Sequence, residues 1–209
     1  VQKRISQLAE GEQSLLKLTS NGKIYGKVIE NGAVTGRCTH HSPNLAQIPS
    51  KDSLYGAEFR QLFIAPSNMV MCGIDFSGLE LRVLSHYLYN FDNGTFQKEL
   101  LEADIHTTNQ QALGLSSRSQ AKTFIYAYIY GAGNKRIAEI IGTSDNEAKR
   151  VREKFEEILP ALKLLNQSAR NKFRSVGYLK GLDGRKLICR AEYSTLNTLI
   201  QSAGALLVK

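Results

Sequence analysis

From Arg118 to Tyr130 the chain reads RSQAKTFIYAYIY, with neither proline nor glycine until Gly131. A stretch of that length and composition constrains the fold more than any other: it runs as a helix, opening near Ser117 and broken by Gly131. Arg118, Lys122, Tyr126 and Tyr130 recur at every fourth residue. Four residues turn a helix through about 400°, so the row drifts only about 40° per step while it climbs roughly 18 Å. One face therefore carries two cations near its start and two phenols further along. Such a face suits a ligand with an anionic tail and a flat head, a nucleotide; the same spacing also describes a solvated cation pair beside half-buried tyrosines.

Elsewhere the pattern is mixed. Residues 3 to 18 read as a helical stretch interrupted at Gly11, ending at Ser20-Asn21-Gly22. Lys23 to Ile29 and Ala33 to Cys38 are β-compatible runs joined through Asn31-Gly32, a strong hairpin signal. Thr39 to Ser53 is loop-like, so any role there falls to exposed groups such as Arg37, Asn44 and Gln47. Met69 to Asp75 is a short apolar run closing on a carboxylate, the pattern of a buried strand whose end presents Asp75 to a ligand or to the cap of the next helix. Leu79 to Leu88 has helical composition, Asp104 caps a helix that starts at Ile105, and further helices run from about Ser144 to Ile158 and from about Ala161 to Arg174. Tyr178 to Lys180 and Arg185 to Arg190 flank Gly181-Leu182-Asp183-Gly184 as a second hairpin. Tyr193 to Lys209 is helical, with Asn197 and Gln201 one turn apart. Strands near both ends with helices between them predict an α+β fold, a helical insertion rising from an antiparallel sheet platform.

Composition narrows the function classes. A net charge of +8 favours a polyanionic partner, nucleic acid before an acidic membrane surface. No apolar run approaches the roughly 18 residues of a membrane span. Three scattered cysteines, Cys38, Cys72 and Cys189, make neither a disulfide framework nor a four-thiolate zinc site and suit a reducing compartment. Val1-Gln2-Lys3-Arg4 shows neither a signal-peptide apolar segment nor an initiator Met, so the chain reads as a piece of a longer product.

Several blocks together are more specific than any of these signals. Asp75-Phe76-Ser77-Gly78-Leu79-Glu80-Leu81-Arg82 resembles motif A of the family A (DNA polymerase I type) DNA polymerases, and Arg118 to Gly131 resembles their motif B. The similarity extends in the expected order to Thr35-Gly36-Arg37, Pro43 to Pro49, Asp104-Ile105-His106-Thr107, Gly181 to Lys186 and Leu196 to Ala205, with the flavour of the replicative polymerases of short-tailed phages. The resemblance implies an incomplete right hand. Residues 1 to 20 would end the thumb, 21 to 90 form palm with motif A, 91 to 177 form fingers with motif B, and 178 to 209 resume the palm. The partners implied are primer-template DNA and deoxynucleoside triphosphates, in the cytoplasm of a phage-infected bacterium, with no membrane.

Residue by residue, the resemblance implies a metal-bridging Asp75 with the Phe76 carbonyl as companion ligand for Mg²⁺, two ions in all. Arg118 and Lys122 match a triphosphate clamp that offsets developing charge, with His106 on a phosphate oxygen. Ser77, Gly78 and Leu79 line the nucleotide, and Glu80 fills the space of a ribose 2′-hydroxyl. Tyr126 would pack on sugar and base, with Tyr130 and Gly131 near the template. Arg37, Asn44, Gln47, Asn197 and Gln201 would follow primer-template, Arg37, Asn197 and Gln201 along its minor groove. Many bacterial members have Phe where this chain has Tyr126, whose hydroxyl would relax discrimination against 3′-deoxy nucleotides. Motif C, a His-Asp-Glu turn with the second metal-binding aspartate, would follow the Gln201 helix and is absent before Lys209, as are the exonuclease and most of the thumb. A lone carboxylate does not hold two divalent ions, so the expectation is a chain inactive by itself and completed by a second chain or a further segment. The alternative is a non-catalytic nucleotide- or nucleic-acid-binding module; a purely structural basic protein would leave Asp75 and Glu80 without a use.

Overall fold

The computed structural model describes residues 1–209 and divides into two compact units, Val1–Phe76 and Ser77–Lys209. In the first unit, α1 (Gln2–Ile5) runs directly into a π-helical turn at Ser6–Glu10. Gly11 ends it, and the expected continuation to Leu18 is a series of turns. β1 (Thr19–Ser20) and β2 (Lys23–Ile24) pair antiparallel. Their connection is Asn21-Gly22, both with positive φ, 51° and 70°. Asn and Gly tolerate that region, and the primed turn it makes matches the twist of paired strands.

The hairpin expected across Asn31-Gly32 forms with a different second strand. β3 (Lys27–Ile29) pairs with β4 (Thr39–His41) in the register Ile29 to Thr39. Ala33 to Cys38 is a loop instead of a strand: Asn31 and Gly36 take positive φ, and Gly36 N–H donates to Ala33 O while Ala33 N–H donates to Arg37 O. These internal bonds satisfy backbone groups that a strand would have offered to a partner. A 3₁₀ turn at Leu45–Gln47 and α2 (Gly56–Gln61) complete the regular elements of this unit.

Met69 to Asp75 is not a strand. Its backbone is irregular and its apolar side chains face solvent, with Val70 and Ile74 each 91% exposed. A strand exists only through a paired neighbour, and the six short strands are all taken up pairwise among themselves. For the same reason the strands make three separate two-stranded pairs in place of one sheet platform.

The second unit is a helical assembly. α3 (Leu79–Asp92), α4 (Thr95–Glu102), α5 (Ile105–Leu113), α6 (Arg118–Ile129), α7 (Asn134–Ile141), α8 (Asp145–Ile158) and α9 (Pro160–Val176) follow in chain order. β5 (Leu179–Lys180) and β6 (Lys186–Leu187) form the expected hairpin, and α10 (Thr195–Val208) ends the chain. The side chains of Ser117 and Ser144 accept from Gln120 N–H and Glu147 N–H, satisfying N-terminal donors of α6 and α8. Pro160 opens α9 at its first position, where its missing N–H costs nothing.

The core of this unit lies under α6. Ala121, Phe124, Ile125, Tyr128 and Ile129 are its buried residues, and Phe155 from α8 meets the rings of Phe124 and Tyr128 edge-to-face at 5.2 and 5.1 Å. Burying each such large side chain contributes about 1.5–3 kcal/mol. That apolar side fixes α6 in rotation, which leaves the row from Arg118 to Tyr130 on the opposite side.

Candidate nucleotide and nucleic-acid interface

α6 begins and ends where the sequence says: Ser117 caps it, and Tyr130 is followed by Gly131 at φ +80°. At its start Arg118 is not free. Its Nε donates to Asp104 Oδ2 at 2.6 Å and a terminal nitrogen donates to Oδ1 at 3.2 Å. Asp104 also caps α5, accepting from His106 N–H at 3.1 Å and from the Thr107 hydroxyl at 2.9 Å. One carboxylate thus ties the N-termini of α5 and α6 together. The Arg118 hydrogen bond, helped by Thr107 and His106, holds the Asp104 carboxyl well below the usual carboxylate range, and Asp104 in turn raises Arg118.

His106 lies behind this pair, 9% exposed, and its Nδ1 has no hydrogen-bond partner. Burial first, then the charges of Arg118 and Lys122, push its imidazole below the ordinary value, against an opposite pull from Asp104. Its ring centroid stands 6.2 Å from that of Tyr126, which stands 6.2 Å from that of Tyr130. The Tyr126 phenol is raised by burial and, second, by the charge of the Glu80 carboxylate. Gln201 Nε2 donates to the Tyr130 hydroxyl oxygen at 3.3 Å. Lys122, Tyr126, Tyr130 and Gly131 line an open groove of about 620 Å³ together with Arg136 and Tyr193.

The second unit thus brings together Glu80, His106, Arg118, Lys122, Tyr126, Tyr130, Gly131 and Gln201. Asn197 sits one turn before Gln201 on α10, its Oδ1 buried and without a partner. Ser77, Gly78 and Leu79 lead into α3: Ser77 O accepts from Arg82 Nε at 2.9 Å, Gly78 takes φ +61°, and Leu79 packs against the core. Arg37, Asn44, Gln47, Asp75 and Phe76 belong to the first unit. Arg37 is exposed in the β3–β4 loop, Asn44 precedes the 3₁₀ turn with its Oδ1 buried and unpartnered, and the Gln47 carbonyl accepts from Gln7 Nε2 at 3.0 Å. Asp75 and Phe76 are exposed on irregular backbone, so the expectation of a carboxylate held at a strand end is not met.

Two participants are not legible as such in the sequence. Asp104 reads there as a cap alone; its contact with Arg118 joins separate helices and leaves no local pattern. Tyr193, on a 3₁₀ turn at Glu192–Ser194, meets Gly131 across the unit, and nothing in its neighbourhood of sequence points there.

The residues do not fit a pair of Mg²⁺ ions by themselves. No three of the His, Cys, Asp and Glu side chains come together as a metal-holding group, whereas each divalent ion takes several oxygen ligands. No helix is long and apolar enough to cross a membrane.

A helix-rich chain with small antiparallel strand pairs is a fold known among solved structures. The fold matches the POL domain of Pol1 from M. smegmatis, solved in complex with DNA primer-template and dNTP, with a TM-score of 0.78 at 21% identity, over 93% of this chain and 37% of that one. The model of DNA polymerase family A matches residues 1–209, and the chain belongs to that family. It is 44% identical over 232 aligned positions to the DNA-directed DNA polymerases of Enterobacteria phage T3 and of Escherichia phage T7, covering 100% of this chain and 33% of each of them. It is 36% identical to DNA polymerase I of Helicobacter pylori over 71% of this chain and 17% of that protein. The chain spans about a third of the length of the phage relatives.

Proposed function

We propose that this chain is the nucleotide- and primer-template-binding part of a DNA-directed DNA polymerase, and that the α6 face receives the incoming deoxynucleoside triphosphate. The observation that carries this reading lies within the second unit: Lys122, Tyr126 and Tyr130 line one groove, the Asp104-held Arg118 stands one turn before Lys122 on the same helix, and the His106 ring lies 6.2 Å from that of Tyr126. The cations meet the triphosphate oxygens, where charge-assisted bonds are about twice as strong as neutral ones. The His106 imidazole, its charged form disfavoured by burial and by the charges of Arg118 and Lys122, takes up a proton or donates its own to a phosphate oxygen. Tyr126 packs on sugar and base. Glu80, whose charge acts on the same phenol, occupies the space of a 2′-hydroxyl and selects deoxyribose. Tyr130 and Gly131, joined to α10 through Gln201, border the templating base; Asn197 and Gln201, with Arg37, Asn44 and Gln47 of the first unit, follow the primer-template. In this reading residues 1 to 20 end a thumb, 21 to 90 and 178 to 209 are palm, and 91 to 177 are fingers.

Asp75, with the Phe76 carbonyl, offers one metal-binding carboxylate. The reaction, attack of a primer 3′-hydroxyl on the α-phosphate with loss of pyrophosphate, needs further carboxylates that these residues do not group around it. The 209 residues therefore bind substrates and do not extend a primer until a segment or chain bearing the second aspartate is supplied. That lone carboxylate also favours the rival reading, a module that binds nucleotide or DNA without chemistry. Primer extension separates them: incorporation only after adding a polypeptide with a His-Asp-Glu turn supports the polymerase, extension by the chain alone contradicts the need for complementation, and binding with no incorporation in either mixture favours the module.

A further inference from the structure

Where the C-terminal end of α3 meets α4, α5 and the junction of α8 with α9, the helices leave a cavity of about 370 Å³. Phe96, Ile105, Ala112 and Leu159 make its lining mainly apolar. Phe91, Ile158 and Leu164 line it too while staying 40, 44 and 50% exposed, so the apolar surface continues out of the cavity. The chain has 27 lysines and arginines, yet none lines this cavity; its two charged residues, Asp92 and Glu99, are both acidic. The polar donors there are turned onto the chain itself. The Thr95 hydroxyl donates to Asp92 O at 2.8 Å, the Thr108 hydroxyl to Asp104 O at 3.3 Å, and Asn109 Nδ2 to Ile105 O at 2.7 Å. Acceptors are left over. Asn109 is only 7% exposed, and its Oδ1 meets no donor of the chain. The Glu99 carboxylate has neither a hydrogen bond nor an ion pair. Asp92 accepts from Gly94 N–H at 2.9 Å and Phe96 N–H at 3.0 Å, and no cation answers its charge.

We infer that this cavity docks a basic, amphipathic segment of a partner protein, with an apolar side chain against Phe91, Ile158 and Leu164 and a lysine or arginine on Glu99, Asp92 and Asn109 Oδ1. Unspent acceptors around an apolar lining call for a group that is apolar along its length and brings N–H donors; lysine and arginine supply donors and no acceptor. Nucleic acid is the wrong partner here, because its phosphates would meet two carboxylates and no cation. A free amine would answer the acceptors and leave the apolar side chains at the mouth in water. One face of an amphipathic helix answers both, and complementary charge then selects the basic partner over an acidic one. The inference stands apart from the α6 reading, since Lys122 and Tyr126 line a different groove.

The test uses the full chain and a fluorescently labelled helical peptide of about four turns, leucine along one face and lysine elsewhere, read by anisotropy. A leucine/glutamate helix of equal length is its control. The leucine/lysine helix binds and the leucine/glutamate helix does not. Glu99→Lys, at an exposed position, weakens binding about tenfold or more, and Glu99→Gln weakens it less. Leu164→Ser, also exposed, weakens it about fivefold, for the roughly half of a leucine side chain that docking buries. Circular dichroism of the three variants matches the wild type, and their binding of a deoxynucleoside triphosphate is unchanged. Amide shifts on adding the peptide collect on α4, α5 and the start of α9. Equal binding of the two helices, or an affinity indifferent to both Glu99→Lys and Leu164→Ser, overturns the inference. Full displacement of the peptide by hexylamine at a similar concentration overturns it in favour of a small-amine site. Sedimentation showing the chain paired with itself, and Glu99→Lys dispersing the pair, overturns it in favour of a second copy.

Discussion

Gly131→Ala is the most informative single change, because two separable penalties meet at that residue. Its φ is +80°, in the left-handed region, where an L side chain costs about 1–2 kcal/mol. A Cβ there would also sit inside the contact radius of the Tyr193 carbonyl oxygen, a backbone atom that cannot swing aside; forced overpacking of this kind costs a further 1–3 kcal/mol or so. Gly142 isolates the first penalty, since its φ is +69° and a Cβ there meets nothing within 4 Å. Urea unfolding of the two alanine variants should therefore show Gly142→Ala less stable than the wild type by about 1–2 kcal/mol. Gly131→Ala should lose that and about 1–3 kcal/mol more. In a chain of this size the excess corresponds to a further fall in Tm of roughly 2–12 °C. Because Gly131 and Tyr193 border the α6 groove, nucleotide binding should weaken in Gly131→Ala and not in Gly142→Ala. Equal losses of stability would refute the idea that the α6 terminus is pressed against Tyr193.

Other consequences follow from the same geometry. Phe155→Ala, which empties the centre of the aromatic cluster on α6, should cost about 3–5 kcal/mol in the same unfolding assay. The Asp104 carboxyl, held low by Arg118, contributes stability that is complete above the ordinary carboxylate value of 3.8 and is lost only as pH falls well below it. Its side-chain carbon resonance should accordingly not titrate around 3.8, and its midpoint should move up toward that value once Arg118 is replaced by Ala, with the Thr107 and His106 hydrogen bonds still pulling it down. His106 is lowered from the ordinary 6.5, so its neutral form stabilises the fold fully above that value and progressively less as pH drops beneath it. Its ring resonances should titrate below 6.5 in the free chain and move upward when a triphosphate is added. The protonated Tyr126 hydroxyl can donate near a sugar 3′ position, so in the complemented polymerase Tyr126→Phe should discriminate more strongly against 3′-deoxy nucleotides; equal incorporation ratios would remove that role.

The parts of the fold that can be read from sequence are those fixed by local chemistry. Ser117, Ser144 and Asp104 announce helix starts, Gly131 announces an end, and fourfold spacing places Arg118, Lys122, Tyr126 and Tyr130 along one side, because capping and helical periodicity act within a few residues. Local signals fail where the outcome depends on a distant partner. Asn31-Gly32 signals a turn correctly, yet the strand that pairs with β3 is Thr39–His41, since register is decided by what packs on the far side of a loop. Met69 to Asp75 has the composition of a strand and lacks a neighbouring strand to pair with. Asn21-Gly22 carries the same turn signal, but the strands beside it are only two residues long, too short to show a pattern of their own. In the site, cations and phenols are legible by type; the Asp104 clamp on Arg118, Tyr193 beside Gly131 and the acid-edged cavity come from helices meeting in space.

Whether the α6 face holds a triphosphate is tested most directly by amide chemical-shift mapping of the full chain during titration with a deoxynucleoside triphosphate. The expected shifts concentrate at His106, Lys122, Tyr126 and Gly131, and Lys122→Ala weakens binding about tenfold or more, the equivalent of one charge-assisted hydrogen bond. Shifts centred away from α6, or an affinity indifferent to Lys122→Ala, would contradict it.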